Sequence, residues 1–248
     1  MRLNCDMGES YGVWKMGADE LAMPFIDMAN IACGGHASDP HVMSQTIALA
    51  KQHQVQIGAH PSYADIAGFG RRTIAYQPEQ LSQIILAQIG GLQALCRYQA
   101  TQIHYVKPHG ALYNDMHCSA QIFEAVLKAV ASLEGEIKLM VSASLSTGFV
   151  SRLAEQYQVG LIKEAFCDRR YLANGQLQSR ELDGAVLSQP NDLLAQVNLL
   201  QQQQQVICSD GSRLNISADT LCVHGDNAAA VAQIKLIKQI LDPQTKSL

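Results

Sequence analysis

The sequence predicts an α/β fold: a seven-stranded, distorted parallel β/α barrel. Three observations predict it. Short apolar runs alternate with longer amphipathic stretches of helical period, the pattern of a parallel sheet with helices outside. The chain has 248 residues, close to the ~250 typical of a closed β/α barrel. Polar and ionisable residues collect directly after the apolar runs, as they do at the mouth of such a barrel.

The seven strand candidates are Leu3–Cys5, Met28–Cys33, Val55–Ala59, Ile103–Val106, Ile137–Val141, Val159–Ile162 and Thr220–Val223. Each is too short for a helix, and several are β-branched. Seven is one short of the eight-fold barrel, hence the distortion; an open doubly wound sheet is the alternative. Between the strands, Leu81, Ile84, Ile85, Ile89, Leu92 and Leu95 mark one helical face. Ile122, Phe123, Val126, Leu127 and Val130 mark another, and Val231, Ile234, Ile237 and Leu241 a third. Asp39–Pro40 and Gln77–Pro78 read as helix starts, with proline at the first helical position. Gln201–Gln205 end a helical pattern as a solvated face, and Arg169–Gly184 reads as a long loop or hairpin. No linker and no internal repeat divides the chain, so residues 1–248 are expected to form one domain.

Composition narrows the function classes. Eighteen Lys plus Arg against 22 Asp plus Glu give a net charge of −4, which is no footprint for nucleic acid. No apolar run reaches the ~18 residues of a membrane span, and the N-terminus lacks a signal-peptide core. A cytoplasmic protein is expected. The seven cysteines include no C-x-x-C, so they read as free, mostly buried thiols.

The strand ends carry the chemistry. Asp6 and Glu9 follow the first run; Gly34-Gly35-His36 and Asp39 follow the second; His60-Pro61 end the third. The fourth gives Lys107-Pro108-His109-Gly110 with Tyr113 and Asn114, the sixth Glu164, Asp168 and Arg169, and the last His224-Gly225-Asp226. In a parallel barrel these ends meet on one face. Asp39 before Pro40 reads as a helix cap, and Asp226 equally as cap or site residue. His41, His53, His104 and His117 read as packed or surface residues, whereas His36, His60, His109 and His224 each follow a strand beside Gly or Pro. Lys107 is expected to be partly desolvated, with a lowered pKa, or to pair with Asp6, Glu9 or Glu164. Arg71 and Arg72, after Gly68-Phe69-Gly70, suit a carboxylate or phosphate. There is no P-loop, dinucleotide fingerprint, G-x-S-x-G or H-E-x-x-H. A divalent metal on Asp6, His60 and His109 fits the residue types, though no ligand spacing identifies it.

These runs resemble the LamB/YcsF family, the A subunit of bacterial 5-oxoprolinase. The matching segments are Leu3–Glu9, Asn30–Gly34 with His36 and Asp39-Pro40, Ile57–Pro61, Gly68–Arg72, Val106–Asn114, Asp168-Arg169 with Tyr171, and Val223–Asp226. They run in order along nearly the whole chain. The family usually has Phe at the place of Gly35, Gly at Ser38, Pro at Ala64 and Ala at Cys167; the first departure is expected to alter the wall of the mouth.

The resemblance implies the glycoside hydrolase/deacetylase barrel fold and ATP-dependent opening of 5-oxoproline to L-glutamate. It implies ATP with Mg as co-substrate, and subunits B and C as partners. Phosphorylating the lactam oxygen would activate the ring carbon toward water. The expected catalytic set is Asp6, Glu9, His36, His60, Lys107, His109, Glu164, Asp168 and His224. Arg71, Arg72, Tyr113, Asn114, Arg169 and Asp226 are expected to bind substrate. The partners are expected to supply phosphorylation, docking on an apolar patch near the mouth that includes the Arg169–Gly184 loop. Two rival readings are a metal-dependent carbohydrate deacetylase and a non-catalytic lactam-binding subunit.

Overall fold

A computed structural model describes residues 1–145 and 148–242; the last six residues of the expected 1–248 domain lie outside that range. Seven strands close a barrel in the order β1 (Arg2–Met7), β2 (Met28–Ala32), β3 (Gln56–His60), β4 (Ile103–Val106), β5 (Lys138–Ser142), β6 (Leu161–Phe166) and β9 (Thr220–Val223). Every neighbouring pair is parallel, and β9 closes the ring against both β6 and β1. The ring is closed, not the open doubly wound sheet. All seven sequence-predicted strands are present within two or so residues, except that β6 begins and ends later. It runs on to Phe166, so Glu164 lies inside the strand instead of after it.

Sequence reading missed a two-stranded antiparallel hairpin, β7 (Gln205–Ile207) with β8 (Arg213–Asn215), inserted before β9. The glutamine run is therefore divided. The helix Pro190–Gln203 ends with Gln204 left-handed at φ 53°, and Gln205 opens β7. Three-residue strands carry too little periodicity to be distinguished from loop in sequence.

The helices pack outside. The helix Pro40–Gln52 starts as its sequence dictates: the Asp39 side chain accepts from the His41 and Val42 amides, and Pro40 occupies the first turn. The helix Pro78–Tyr98 has a reciprocal capping box between Gln77 and Gln80. Its Leu81, Ile85, Ile89 and Leu92 are buried against the barrel with Phe123, Val126, Leu127 and Val130 of Ala120–Ala131. The main core lies between strands and helices. A second, smaller core of Met28, Tyr105, Met140 and Ile162 plugs the barrel's lower interior. Gly58 has no side chain because the Tyr105 ring occupies its place.

Two departures from the family pattern acquire physical meanings. Gly35 is not at the mouth. It is buried against Gln88, whose carboxamide bonds both the amide and the carbonyl of Ser62 in the space a larger residue 35 would take. Ser38 has φ 74°, the left-handed region that favours glycine. Ser38→Gly is expected to raise stability by up to about 1 kcal/mol, the left-handed cost less the added unfolded-state entropy. Urea unfolding of the two proteins reads this directly; a destabilised variant would show that Ser38 carries no strain.

Candidate active site

Side chains alternate across a strand, so residues i and i+2 share a face. Asn4 and Asp6 on β1, Asn30 on β2, Tyr105 on β4 with Lys107 just beyond it, Glu164 on β6, and Thr220 and Cys222 on β9 thus point into the barrel. They form one network. Tyr105 Oη donates to Asn30 Oδ1 at 2.7 Å, Asn30 Nδ2 to Asn4 Oδ1 at 2.8 Å and Asp6 Oδ1 at 2.7 Å, and Asn4 Nδ2 to Thr220 Oγ1 at 3.0 Å. Lys107 Nζ crowns it, 2.8 Å from Asp6 Oδ1, 2.7 Å from Glu164 Oε2 and 3.2 Å from Cys222 Sγ. The Glu164 contact is a close ion pair without hydrogen-bond geometry, which leaves both Glu164 oxygens short of a hydrogen bond.

Burial works to lower the pKa of Lys107, as its strand-end position suggests. Asp6 and Glu164 outweigh burial and hold the ammonium well above its ordinary value. Lys107 is a fixed cation, not the lowered-pKa amine the sequence suggests. Burial likewise opposes ionisation of Asp6, but Lys107 keeps its carboxyl well below the usual range.

A histidine cluster stands beside this pair. His60 Nδ1 is 2.6 Å from the Lys107 carbonyl, and His60 Nε2 is 2.9 Å from His109 Nδ1 and 3.5 Å from Asp6 Oδ2. His109 Nε2 bonds the Phe69 carbonyl at 3.0 Å. His36 stacks on His109, centroids 3.6 Å apart, and its Nε2 is 3.2 Å from Glu9 Oε1. Burial depresses the pKa of His36 and His109 and raises that of Glu9, with Asp6 adding to the last. Glu9, His36, His60 and His109 offer ligand atoms within 4.8 Å of one another, a cluster with the composition of a metal site.

Across the mouth, Asp168 Oδ1 bonds His224 Nδ1 at 2.8 Å, and Asn227 Nδ2 bonds the other carboxylate oxygen at 3.1 Å. Burial of Asp168 is overcome by His224 and Asn227, and its pKa lies below the ordinary value. His224 rests flat on the Phe166 ring. Asp226 is not a cap; Asn227 caps the following helix, and Asp226 pairs with Arg71 at 2.6 Å and Arg180 at 3.7 Å.

These groups surround a cavity of about 630 Å³. Of the expected site residues, Asp6, Glu9, His60, Arg71, Lys107, His109, Tyr113, Asn114, Arg169, His224 and Asp226 line it. His36, Glu164 and Asp168 are buried directly behind that lining. Arg72 is the exception: its guanidinium is largely exposed and pairs with Asp65, away from the cavity. The 169–184 segment roofs the cavity with Leu172, Gln178 and Arg180. Arg169 is buried there, and burial lowers its pKa to about 10. Tyr113 is buried, and burial together with Glu164 holds its hydroxyl well above the ordinary pKa.

Sequence reading missed Asn4, Asn30, Tyr105 and Arg180, and took Cys222 for an ordinary core thiol. The two-residue period was the available signal. Asn4, Gly58, Tyr105 and Cys222 each stand two before a site residue: Asp6, His60, Lys107 and His224.

The LamB/YcsF family model matches residues 1–248. The chain belongs to the LamB/YcsF family. It is 55% identical to the 5-oxoprolinase A subunit of Vibrio cholerae serotype O1 over 98% of each chain. It is 47% identical to the protein of the same name from Chromohalobacter salexigens, over 97% of this chain and 96% of that one. Among solved structures, the lactam utilization protein of Thermus thermophilus superposes with a TM-score of 0.88 at 34% identity, covering 98% of this chain and 96% of that one. No helix among the described residues is long and apolar enough to cross a membrane.

Proposed function

We propose that the chain is the A subunit of an ATP-dependent 5-oxoprolinase, opening 5-oxoproline to L-glutamate together with subunits B and C. The observation that carries this reading is one cavity holding an oriented histidine base, a buried Lys107–Asp6 ion pair and a rim of arginines, in a chain whose relatives bear that name. The family match over residues 1–248 supports treating the whole chain as one functional unit.

His224 is the general base. Asp168 fixes it in the tautomer with hydrogen on Nδ1, which leaves Nε2 as the acceptor. His60 and His109 are unsuited to that role, because each has one nitrogen tied to a backbone carbonyl and the other facing its neighbour. Arg71, Arg169 and Arg180 present forked donors for the substrate carboxylate or a phosphoryl group. Once the lactam oxygen is phosphorylated, water adds to the ring carbon and gives its proton to His224. The carbonyl re-forms as the C–N bond breaks and the nitrogen takes that proton back, which leaves an acyl phosphate; a second water hydrolyses it to L-glutamate and inorganic phosphate. Lys107 holds Asp6 beside the reacting ring.

The proposed docking surface is the apolar segment around Tyr11, Val13, Trp14, Met16 and Leu21, all exposed. It adjoins a shallow depression sharing Phe69, Arg71 and Asp226 with the cavity rim. The 169–184 segment roofs the site and contributes only Leu182 to the exposed apolar surface. A partner seated on Trp14 would close the mouth against water.

Reconstitution with the two partner subunits tests the reading. Glutamate and phosphate should appear together from 5-oxoproline, ATP and magnesium, and neither should appear from this chain alone. Asp168→Asn should lower kcat by about 10³–10⁴ through the wrong imidazole tautomer. Robust glutamate release without partners, or full activity in Asp168→Asn, would overturn it.

A further inference from the structure

We propose that Glu9, His60 and His109 bind one divalent transition-metal ion in the cavity wall, with His36 positioning two of the three ligands. The inference is independent of the lactam reading.

The argument is one of protons. His60 Nδ1 lies 2.6 Å from the Lys107 carbonyl and His109 Nε2 lies 3.0 Å from the Phe69 carbonyl. A carbonyl oxygen only accepts, so both outer nitrogens carry hydrogen. In neutral imidazoles the inner nitrogens, His60 Nε2 and His109 Nδ1, are then bare lone pairs. They face one another at 2.9 Å. Two facing lone pairs repel unless something electropositive joins them. Outer N–H groups bonded to backbone carbonyls are the arrangement that orients histidines toward a metal.

The carboxylate completes the set. Glu9 Oε1 is 3.7 Å from His109 Nδ1, and ligand atoms of Glu9, His60 and His109 lie within 4.8 Å of one another. Metal bonds of about 2.0–2.2 Å place neighbouring ligand atoms about 3–3.6 Å apart, a range that the 2.9 Å His60–His109 and 3.7 Å Glu9–His109 separations already bracket. Two histidines and one carboxylate on one side of an ion leave its other positions open. Here the open side is the cavity, which Glu9, His60 and His109 all line.

His36 is not a ligand to the same ion. Its ring is parallel to His109 within 2° at 3.6 Å, and two stacked rings cannot both aim in-plane lone pairs at one point. It donates from Nε2 to Glu9 Oε1 at 3.2 Å and buttresses His109, holding both. Asp6, the carboxylate that residue types alone suggested, is committed to Lys107 and Asn30.

The test is metal binding by the full chain, stripped with chelator and titrated with Co(II) and Zn(II). Expected are one saturable equivalent by calorimetry, a visible Co(II) spectrum of mixed nitrogen and oxygen ligation, and anomalous scattering between these three side chains in a crystal. Glu9→Gln and His109→Gln should each weaken affinity by at least about tenfold, and His36→Gln by less. Folding of each variant is checked by circular dichroism. The anomalous measurement needs only the wild-type chain. Absence of saturable binding, an anomalous peak elsewhere, or undiminished affinity in folded Glu9→Gln would overturn the proposal; the lactam reaction enters none of these readouts.

Discussion

Lys107→Ala is expected to cost about 3–5 kcal/mol of stability as well as turnover, the loss seen when one partner of a buried ion pair is removed. The sequence alone suggests a strand-end lysine whose loss leaves the fold nearly intact. The structure changes that expectation. Lys107 is buried between Asp6 and Glu164, and both carboxylates are themselves out of water. Without the ammonium, two like charges are left in the barrel, and among the described residues Asn30 remains as the hydrogen-bond donor to Asp6. Asp6→Asn should be milder for stability and comparable for activity. It removes one negative charge at nearly constant volume, and Lys107 retains Glu164. Urea unfolding measures the first effect, and coupled glutamate release from the reconstituted complex measures the second. A Lys107→Ala protein within about 1 kcal/mol of wild type would mean that this network does not hold the barrel together. Normal turnover in either variant would remove that residue from the machinery.

The fold was legible because its determinants are local. Seven apolar runs between amphipathic helices leave few topologies, and parallel pairing follows from the helical crossovers. The mouth was legible for a similar reason: strand C-terminal ends share one face whatever the side chains are. Partnerships across the barrel were harder to read. Nothing around Asp168 in sequence says that it meets His224, or that Arg72 turns to Asp65 while Arg71 turns to Asp226. Those choices depend on loop conformation, and the 65–72 loop directs two adjacent arginines to opposite sides. The buried polar layer of Asn4, Asn30 and Tyr105 was hidden for another reason. Asn and Tyr inside apolar runs resemble strand noise until the barrel closes and each finds its partner.

The second large effect is acid sensitivity through His117, which stands behind the cavity wall against Tyr113 and Ser142. Its Nδ1 donates to the Tyr113 carbonyl at 2.7 Å, and its Nε2 accepts from the Ser142 amide at 2.9 Å. The second bond needs a bare lone pair, so the folded protein binds the neutral ring only. Burial lowers the pKa to about 4, with the Tyr113 bond opposing. An unfolded histidine titrates near ~6.5. Between those values the unfolded chain holds more protons, so stability rises with pH across this window. The contribution is complete above pH ~6.5 and is lost as pH falls toward ~4, amounting to about 3 kcal/mol at ~1.4 kcal/mol per unit. His36 and His109, also lowered by burial, act in the same direction, and Glu9, raised by burial, acts in the opposite one. His117→Gln isolates the single residue. The variant should be less stable at pH 7.5, because it disturbs the link between the Gly110–Cys118 helix and β5. Its stability should then fall less steeply between pH 6.5 and 4 than that of wild type. Urea unfolding at half-unit pH steps gives both curves; parallel curves would mean that His117 keeps an ordinary pKa and that acid unfolds the barrel elsewhere.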